Sequence, residues 1–400
     1  MRILVYPHEL GMGGSQINAL ELASAVRNLG HEVFVFATAG ILIEKVQELS
    51  LQFIEAPPRR YGVDPATIRK LTSTVRSLDI DLVHPYEWAP SVETAFGPAL
   101  RRGTTSVMTV LSMDVPDFLP RHFPLIVGTH GLAEDERRRR TNVHVIEPPI
   151  DTAYNKPGAT AMTRRQLGIS DGELVISIVG RLSTDLGKLE GVRTAVEVAD
   201  RLAGRFPVTL LVAGDGPGLM EIQAAAQDIN RRQGRNVIRV SGNVVDPRPL
   251  YDAADVVLGM GSSALRGMSY GKPLIVQGTA GFWRLSCPEH EEQFLMDGWF
   301  GHGSGGSGAL ALEALLIRLI TDGGLRTTLG AYNRRLVEDR FSLEQAALRL
   351  ESIYLRAAKA PQPTVRRSRS LIRTGYEVAK FRTVINLEAS GLRLAKGAQQ

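Results

Sequence analysis

Cysteine is nearly absent: Cys287 is the only one in 400 residues. A single thiol excludes an internal disulfide framework and fits a reducing compartment, where a buried inert thiol is the ordinary outcome. Long apolar runs are missing too. No uninterrupted stretch reaches the ~18–20 residues that span a bilayer. Ala309 to Ile320 comes nearest, and Glu313 and Arg318 interrupt it. The opening run of Met1 to Tyr6 stops at Pro7 and His8, so no secretory leader and a cytoplasmic location are expected. There is no carboxylate cluster and no His/Cys spacing that builds a metal site, so neither a metal nor a resident cofactor is expected.

What is present is ordinary globular material, 44% apolar and 22% charged. A chain of 400 residues is too long for one core, and two α/β domains are expected. The net charge of +5 is unevenly spread. Residues 361–400 carry eight bases (Arg366, Arg367, Arg369, Arg373, Lys380, Arg382, Arg393 and Lys396) against Glu377 and Glu388. The preceding body is therefore close to neutral, and nucleic acid is not expected as a partner. The tail interleaves its bases with Leu371, Ile372, Tyr376 and Phe381. It reads either as a solvated extension or as a surface for peripheral contact at the inner face of a membrane.

Strand and helix patterns alternate along the body. Arg2–Tyr6 and Glu32–Ala37 read as strands, with Gly11-Met12-Gly13-Gly14 and an apolar-faced helix between them. Further short strands are expected at 80–83, 106–111, 125–127 and 143–146. Pro148-Pro149 and Asn155–Gly158 read as a linker. The alternation then restarts with strands at 174–179, 209–213, 237–240, 256–258 and 274–277. This is the signature of parallel sheets covered on both faces. The reading is α/β, with a domain over 1–155, a second over 156–341, a helix over 342–360 and the basic tail over 361–400. Gly301–Gly308 reads as a flexible low-complexity loop.

The most informative stretch is Val256-Val257-Leu258-Gly259-Met260-Gly261-Ser262-Ser263. An apolar strand ends in Gly-x-Gly and a helix follows at once. Glycines let backbone N–H groups approach an anion, and the helix start adds roughly half a positive charge. The segment reads as a phosphate cradle.

Several motifs recur in a fixed order. They are Gly13-Gly14-Ser15-Gln16, Gly180-Arg181 with Lys188, Gly214-Asp215-Gly216-Pro217, Gly242-Asn243-Val244, Tyr251 to Asp255, the 259–263 loop, and Gly267-Met268 to Pro273. Together they resemble the GT-B glycosyltransferases, glycosyltransferase family 4 in particular, over roughly residues 1–358. The resemblance implies two Rossmann-like domains facing across a cleft. It implies sugar transfer from a nucleoside-diphosphate sugar to an acceptor, with retention at the anomeric carbon; the acceptor is expected to be a carbohydrate or, with the basic tail at a membrane, lipid-linked. It assigns donor binding to Gly13, Gly14, Arg181, Lys188, Gly214, Asp215, Gly216, Asn243, Val244, Gly259, Met260, Gly261, Ser262 and Ser263. Arg181 suits bidentate contact with phosphate oxygens and Lys188 a point charge, both stabilising the leaving diphosphate. For Lys188 the alternative is a surface ion pair.

The chain departs from the family at three places. The two glutamates that hold the donor ribose fall at Leu258 and Arg266, and a guanidinium cannot accept hydrogen bonds; Arg266 is instead a candidate phosphate contact. The histidine that faces the reacting sugar falls at Leu111. His84, Glu87 and Asp114, each following a strand, are the substitute catalytic candidates, able to orient an acceptor hydroxyl or take its proton. His84 is equally readable as a satisfied strand-end histidine, and the two acids as solvated loop residues.

Other readings compete. Gly259-x-Gly261-x-x-Ala264 also fits a dinucleotide fingerprint, but the acid wanted about twenty residues on is Gln277, which disfavours a dehydrogenase. A non-catalytic nucleotide-sugar-binding protein of the same fold, or an epimerase or hydrolase acting on the donor, is compatible with the missing residues.

Overall fold

The computed structural model describes residues 1–58, 62–112, 114–360 and 364–389. The chain divides into two compact units, Met1–Ile146 with Ala346–Gln400, and Glu147–Gln345. These boundaries differ from the 155/156 and 341/342 breaks read from the sequence, because the chain returns to its first unit after residue 345.

The first unit holds strands β1 (Arg2–Tyr6), β2 (Glu32–Ala37), β3 (Gln52–Glu55), β4 (Leu82–Pro85) and β5 (Thr105–Ser106) in a parallel sheet of order β3-β2-β1-β4-β5. A second, smaller parallel sheet contains β6 (Met108–Val110), β7 (Leu125–Val127) and β8 (Val143–Val145). The single strand expected over 106–111 is thus two, broken at the buried Val107 and assigned to different sheets.

The second unit repeats the order. Strands β9 (Leu174–Val179), β10 (Val208–Ala213), β11 (Ile238–Val240), β12 (Val256–Gly259), β13 (Leu274–Gln277) and β14 (Trp283–Leu285) run β11-β10-β9-β12-β13-β14, with only β14 antiparallel. β9 is apolar almost throughout and nearly all buried, as a central strand covered on both faces must be. In both sheets the first strand has its chain successor on one side and the fourth strand on the other. The loops after β1 and β4, and after β9 and β12, therefore flank a topological switch point, where α/β sheets bind ligands.

The described part of the basic tail is a helix, Thr364–Ala389. Leu371 joins the buried cluster of Val92, Met108, Val110 and Leu125, and the Phe381 ring lies 5.1 Å from Phe118 and 5.9 Å from Trp88. Arg373 donates to the carbonyls of Asp117 (2.5 Å) and Leu119 (2.6 Å), and Arg367 to that of Ala99. Two of the tail's arginines therefore hold it to the unit. The solvated alternative does not describe this segment. Among the described residues no helix is long and apolar enough to cross a membrane.

Candidate functional site

In the second unit the loops at the carboxyl ends of β9, β10 and β11 are joined by main-chain hydrogen bonds. Gly180 N donates to Ala213 O (2.9 Å), Leu182 N to Asp215 O (2.8 Å), Gly214 N to Gly242 O (2.8 Å) and Gly218 N to Leu182 O (3.0 Å). Gly214 has φ 150° and Gly216 φ 144°. A side chain on Gly214 would drive its Cβ into the Gly180 carbonyl, and one on Gly216 into that of Leu182. Glycine is needed here by close approach, not only by conformation.

Several of the sequence-assigned donor residues lie in the loops of this platform. Arg181 is exposed beside the glycine pair. Lys188 opens the helix Lys188–Ala203, and its ammonium pairs with Asp185, whose other oxygen accepts from Ser183. The bonds from Lys188 and Ser183 and the charge of Arg181 hold the Asp185 carboxyl below the usual range, against a desolvation effect that raises it. Lys188 thus forms the surface ion pair of its alternative reading, with Asp185. Asp215 accepts from Gly216 N (2.7 Å) and shapes its own turn. Asn243 is exposed in the next loop, and Val244 packs against the apolar cluster of Val175, Leu211 and Leu250.

Around Gly259 the strand runs through Gly-x-Gly directly into a helix. Met260 precedes the helix Gly261–Ser269, Gly261 has φ 54°, and Ser263 Oγ donates to Met260 O (2.9 Å). Ser262 is half-buried in the first turn. Leu258 is a buried strand residue paired with Ile275 and Ile178. Arg266 is half-buried in the helix's last turn, near enough to the buried Tyr251 for its charge to oppose the pKa rise that burial imposes there. Gln277 is buried and donates to the carbonyls of Gly187 (3.1 Å) and Lys188 (3.0 Å). It braces a helix start rather than awaiting a ribose, which removes the dinucleotide reading.

The loop Gly301–Gly308, expected to be flexible, is packed main chain to main chain over part of its length. Side chains on Gly303 and Gly308 would strike the carbonyls of Ala280 and Gly281, and Thr279 N donates to Gly301 O (3.0 Å). Sequence reading missed it because glycine density looks the same in a loose linker and in a close-packed one; the matching glycines at Gly278 and Gly281 were the available signal.

In the first unit the expected residues separate. His84 is a correction. It lies inside β4, opposite Val5, and not beyond the strand's end. It is 1% exposed, with Nδ1 2.5 Å from Tyr354 Oη and Nε2 2.7 Å from Thr109 Oγ1. Burial pushes its pKa down to about 3. It is a neutral core histidine with both nitrogens engaged, so it does not reach a ligand. Asp114 is exposed. Glu87 is the residue around which the edge is built. Its Oε1 accepts from Ser15 Oγ (3.0 Å) and Leu111 N (3.0 Å), and its Oε2 from Ser112 Oγ. It caps the helix Trp88–Thr94 at φ 64°, ψ −174°, a conformation that L side chains rarely adopt. Gly13 caps the helix Gly14–Asn28, whose first turn supplies Ser15. One carboxylate thus ties the Gly-Gly loop to the loop holding Leu111.

Residues 12–154 match the family model described as Glycosyltransferase Family 4, and residues 173–297 that described as Glycosyl transferases group 1. A D-inositol 3-phosphate glycosyltransferase of Nocardia farcinica is 24% identical over 339 residues, which is 70% of this chain and 72% of that one. A phosphatidyl-myo-inositol mannosyltransferase of Mycolicibacterium smegmatis is 27% identical over 237 residues, 54% of this chain and 59% of that one. Among solved structures, Anabaena HepE in complex with UDP and glucose superposes with a TM-score of 0.68 at 16% identity, covering 89% of this chain and 99% of that one. A glycosyltransferase from Rickettsia africae gives 0.69 at 16%, over 90% and 99%. With family models falling on both units and a shared architecture along most of the length, the chain is a GT-B glycosyltransferase resembling glycosyltransferase family 4.

Proposed function

We propose that the chain transfers a glycosyl group from a nucleoside-diphosphate sugar to a hydroxyl of a carbohydrate or lipid-linked acceptor, with retention at the anomeric carbon. The observation that carries this reading is the close-packed platform at the carboxyl edge of β9, β10 and β11, where Gly214 and Gly216 leave no room for a side chain, with Arg181 and Lys188 beside it. The two cations oppose the charge that develops on a diphosphate leaving group. That role needs no resident cofactor. HepE, solved with UDP and glucose, supports a uridine nucleotide as the first to try. In the first unit Glu87 is the acceptor-side candidate. Its Oε1 already accepts two hydrogen bonds and its Oε2 one, so Oε2 has a lone pair left for an acceptor hydroxyl.

Contact with an anionic membrane surface belongs to the same reading. On the helix Thr364–Ala389, Val365, Arg369, Ile372, Tyr376 and Lys380 are all exposed. At 100° per residue they share one face, opposite the packed Leu371, Thr374 and Val378. Ile372 is 74% and Tyr376 69% exposed, on a stripe that carries two bases and no acid. Apolar and tyrosine side chains among cations suit a headgroup layer.

Thermal-shift titration of the full chain with UDP, GDP and ADP, followed by donor turnover with and without acceptor, tests the function. Stabilisation by one nucleotide and acceptor-dependent release of that nucleotide are expected. Turnover indifferent to acceptor would replace transfer by donor hydrolysis or epimerisation.

A further inference from the structure

Thr279 and His302 sit between two helix starts. Thr279 N donates to Gly301 O (3.0 Å) and Gly303 N to Thr279 O (2.9 Å), so the two segments run as a short main-chain pair. On one side Thr279 lies against Gly187, where a Cβ would stand 3.2 Å from its Cα; Lys188 follows and opens its 16-residue helix. On the other side Trp299 O accepts from Gly261 N (2.9 Å), the first residue of the helix after the Gly259 loop. The pair is rigid by construction, because a side chain on Gly278 or Gly303 would meet main-chain carbonyls.

His302 projects from this pair as an exposed imidazole, with Nδ1 2.8 Å from Thr279 Oγ1. Its Nε2 has no hydrogen-bond partner among the described residues. In the tautomer in which the Thr279 hydroxyl donates to Nδ1, the ring proton sits on Nε2 and faces outward as a donor. Two helix starts favour negative charge at this place, and an oriented N–H between them is a third source of the same preference. The Phe300 ring packs edge-on against the imidazole, 5.0 Å between centroids, and helps to hold its plane.

We propose that His302, oriented by Thr279, is a donor-binding residue that hydrogen-bonds the diphosphate of the nucleotide sugar alongside Lys188. The inference rests on the proposed function and adds a residue to it. Binding of UDP, GDP or ADP, whichever stabilises the full-length wild-type chain, is measured by calorimetry together with the matching nucleoside, for wild type, Arg181→Ala, His302→Ala, His302→Gln and Thr279→Val. His302→Ala is expected to weaken the diphosphate about ten-fold or more, the usual scale for a hydrogen bond to a charged group, and to leave the nucleoside unchanged. His302→Gln, which keeps an N–H, recovers part of the loss, and Thr279→Val loses less than His302→Ala. Unchanged diphosphate affinity in His302→Ala, or an equal loss for nucleoside and diphosphate, overturns the inference. If Arg181→Ala then still loses binding, the proposed function stands without His302. If the wild-type chain binds no nucleoside diphosphate, the proposed function falls and takes this assignment with it.

Discussion

The two sheets share one strand order and finish their ligand-facing edges by different means. In the 147–345 unit the edge is main chain: Gly180, Gly214, Gly216 and Gly242 meet through carbonyls and N–H groups, and side chains stand outside the joints. In the first unit the edge is drawn together by one side chain, Glu87, which bonds Ser15, Leu111 and Ser112 at once. A main-chain edge tolerates no Cβ at Gly214 or Gly216, and its hydrogen bonds to Gly180 and Leu182 fix the loop that carries Arg181. A side-chain edge can be changed one residue at a time.

The sharpest way to break the comparison is Gly214→Ala. The substitution puts a Cβ on the Gly180 carbonyl at φ 150°. It is expected to cost on the order of 4 kcal/mol from overpacking and backbone strain together. Guanidinium unfolding measures it. A loss under about 1 kcal/mol, within the range of an ordinary substitution, would mean the edge is not main-chain built.

Glu87 comes next. Glu87→Ala takes the acceptor from the part-buried Ser15 hydroxyl and Leu111 N–H and from the exposed Ser112, and is expected to cost about 2–3 kcal/mol, with acceptor-dependent turnover lost and nucleotide binding retained. Glu87→Gly loses the same bonds but adopts φ 64° freely, so it should be about 1 kcal/mol more stable than the alanine variant. Equal stabilities of the two variants would remove the strain from the account.

A smaller effect separates the units by pH. His84 is neutral when folded, with its pKa pushed down by burial to about 3 from an ordinary 6.5. The unfolded chain takes up that proton below about 6.5 and the folded chain does not. The stabilisation tied to His84 is complete above pH 6.5 and declines as pH falls toward 3, by up to about 1.4 kcal/mol per pH unit. Denaturant stability between pH 7 and 5 should fall more steeply in wild type than in His84→Gln. Parallel slopes would contradict the neutral core assignment.

The smallest effect on the fold is expected outside both edges. Ile372→Glu and Tyr376→Glu lie on the outward stripe and should change stability by less than about 0.5 kcal/mol. Each should lower partition onto anionic vesicles about ten-fold, the scale of one buried apolar side chain. Unchanged partition, or partition equal on neutral vesicles, would leave the helix as packing alone.

The same contrast explains what the sequence made legible. Glycines at 180, 214, 216, 259 and 261 are visible as letters, and their spacing after apolar runs located the second edge. Glu87 was visible as a strand-end acid, but its three donors come from Ser15, Leu111 and Ser112, far apart in the chain. His84 misled because a two-residue error in the end of β4 moves a residue from a loop into the core. The tail's charges were countable; their use as main-chain ligands by Arg367 and Arg373 depends on tertiary contacts with 99–119 that no local pattern encodes. His302 lay hidden in a run that reads as linker until Gly278 and Gly281 are brought against it.

The claim on which the rest depends is that the second unit's glycine edge holds a nucleoside diphosphate. Calorimetric titration of the full chain with UDP, GDP and ADP tests it most directly, with Arg181→Ala alongside. One of the three should bind at micromolar to sub-millimolar levels, about ten-fold or more weakly in the variant, as for loss of a hydrogen bond to a charged group. Binding of none at millimolar concentration, or equal binding by the variant, would contradict it.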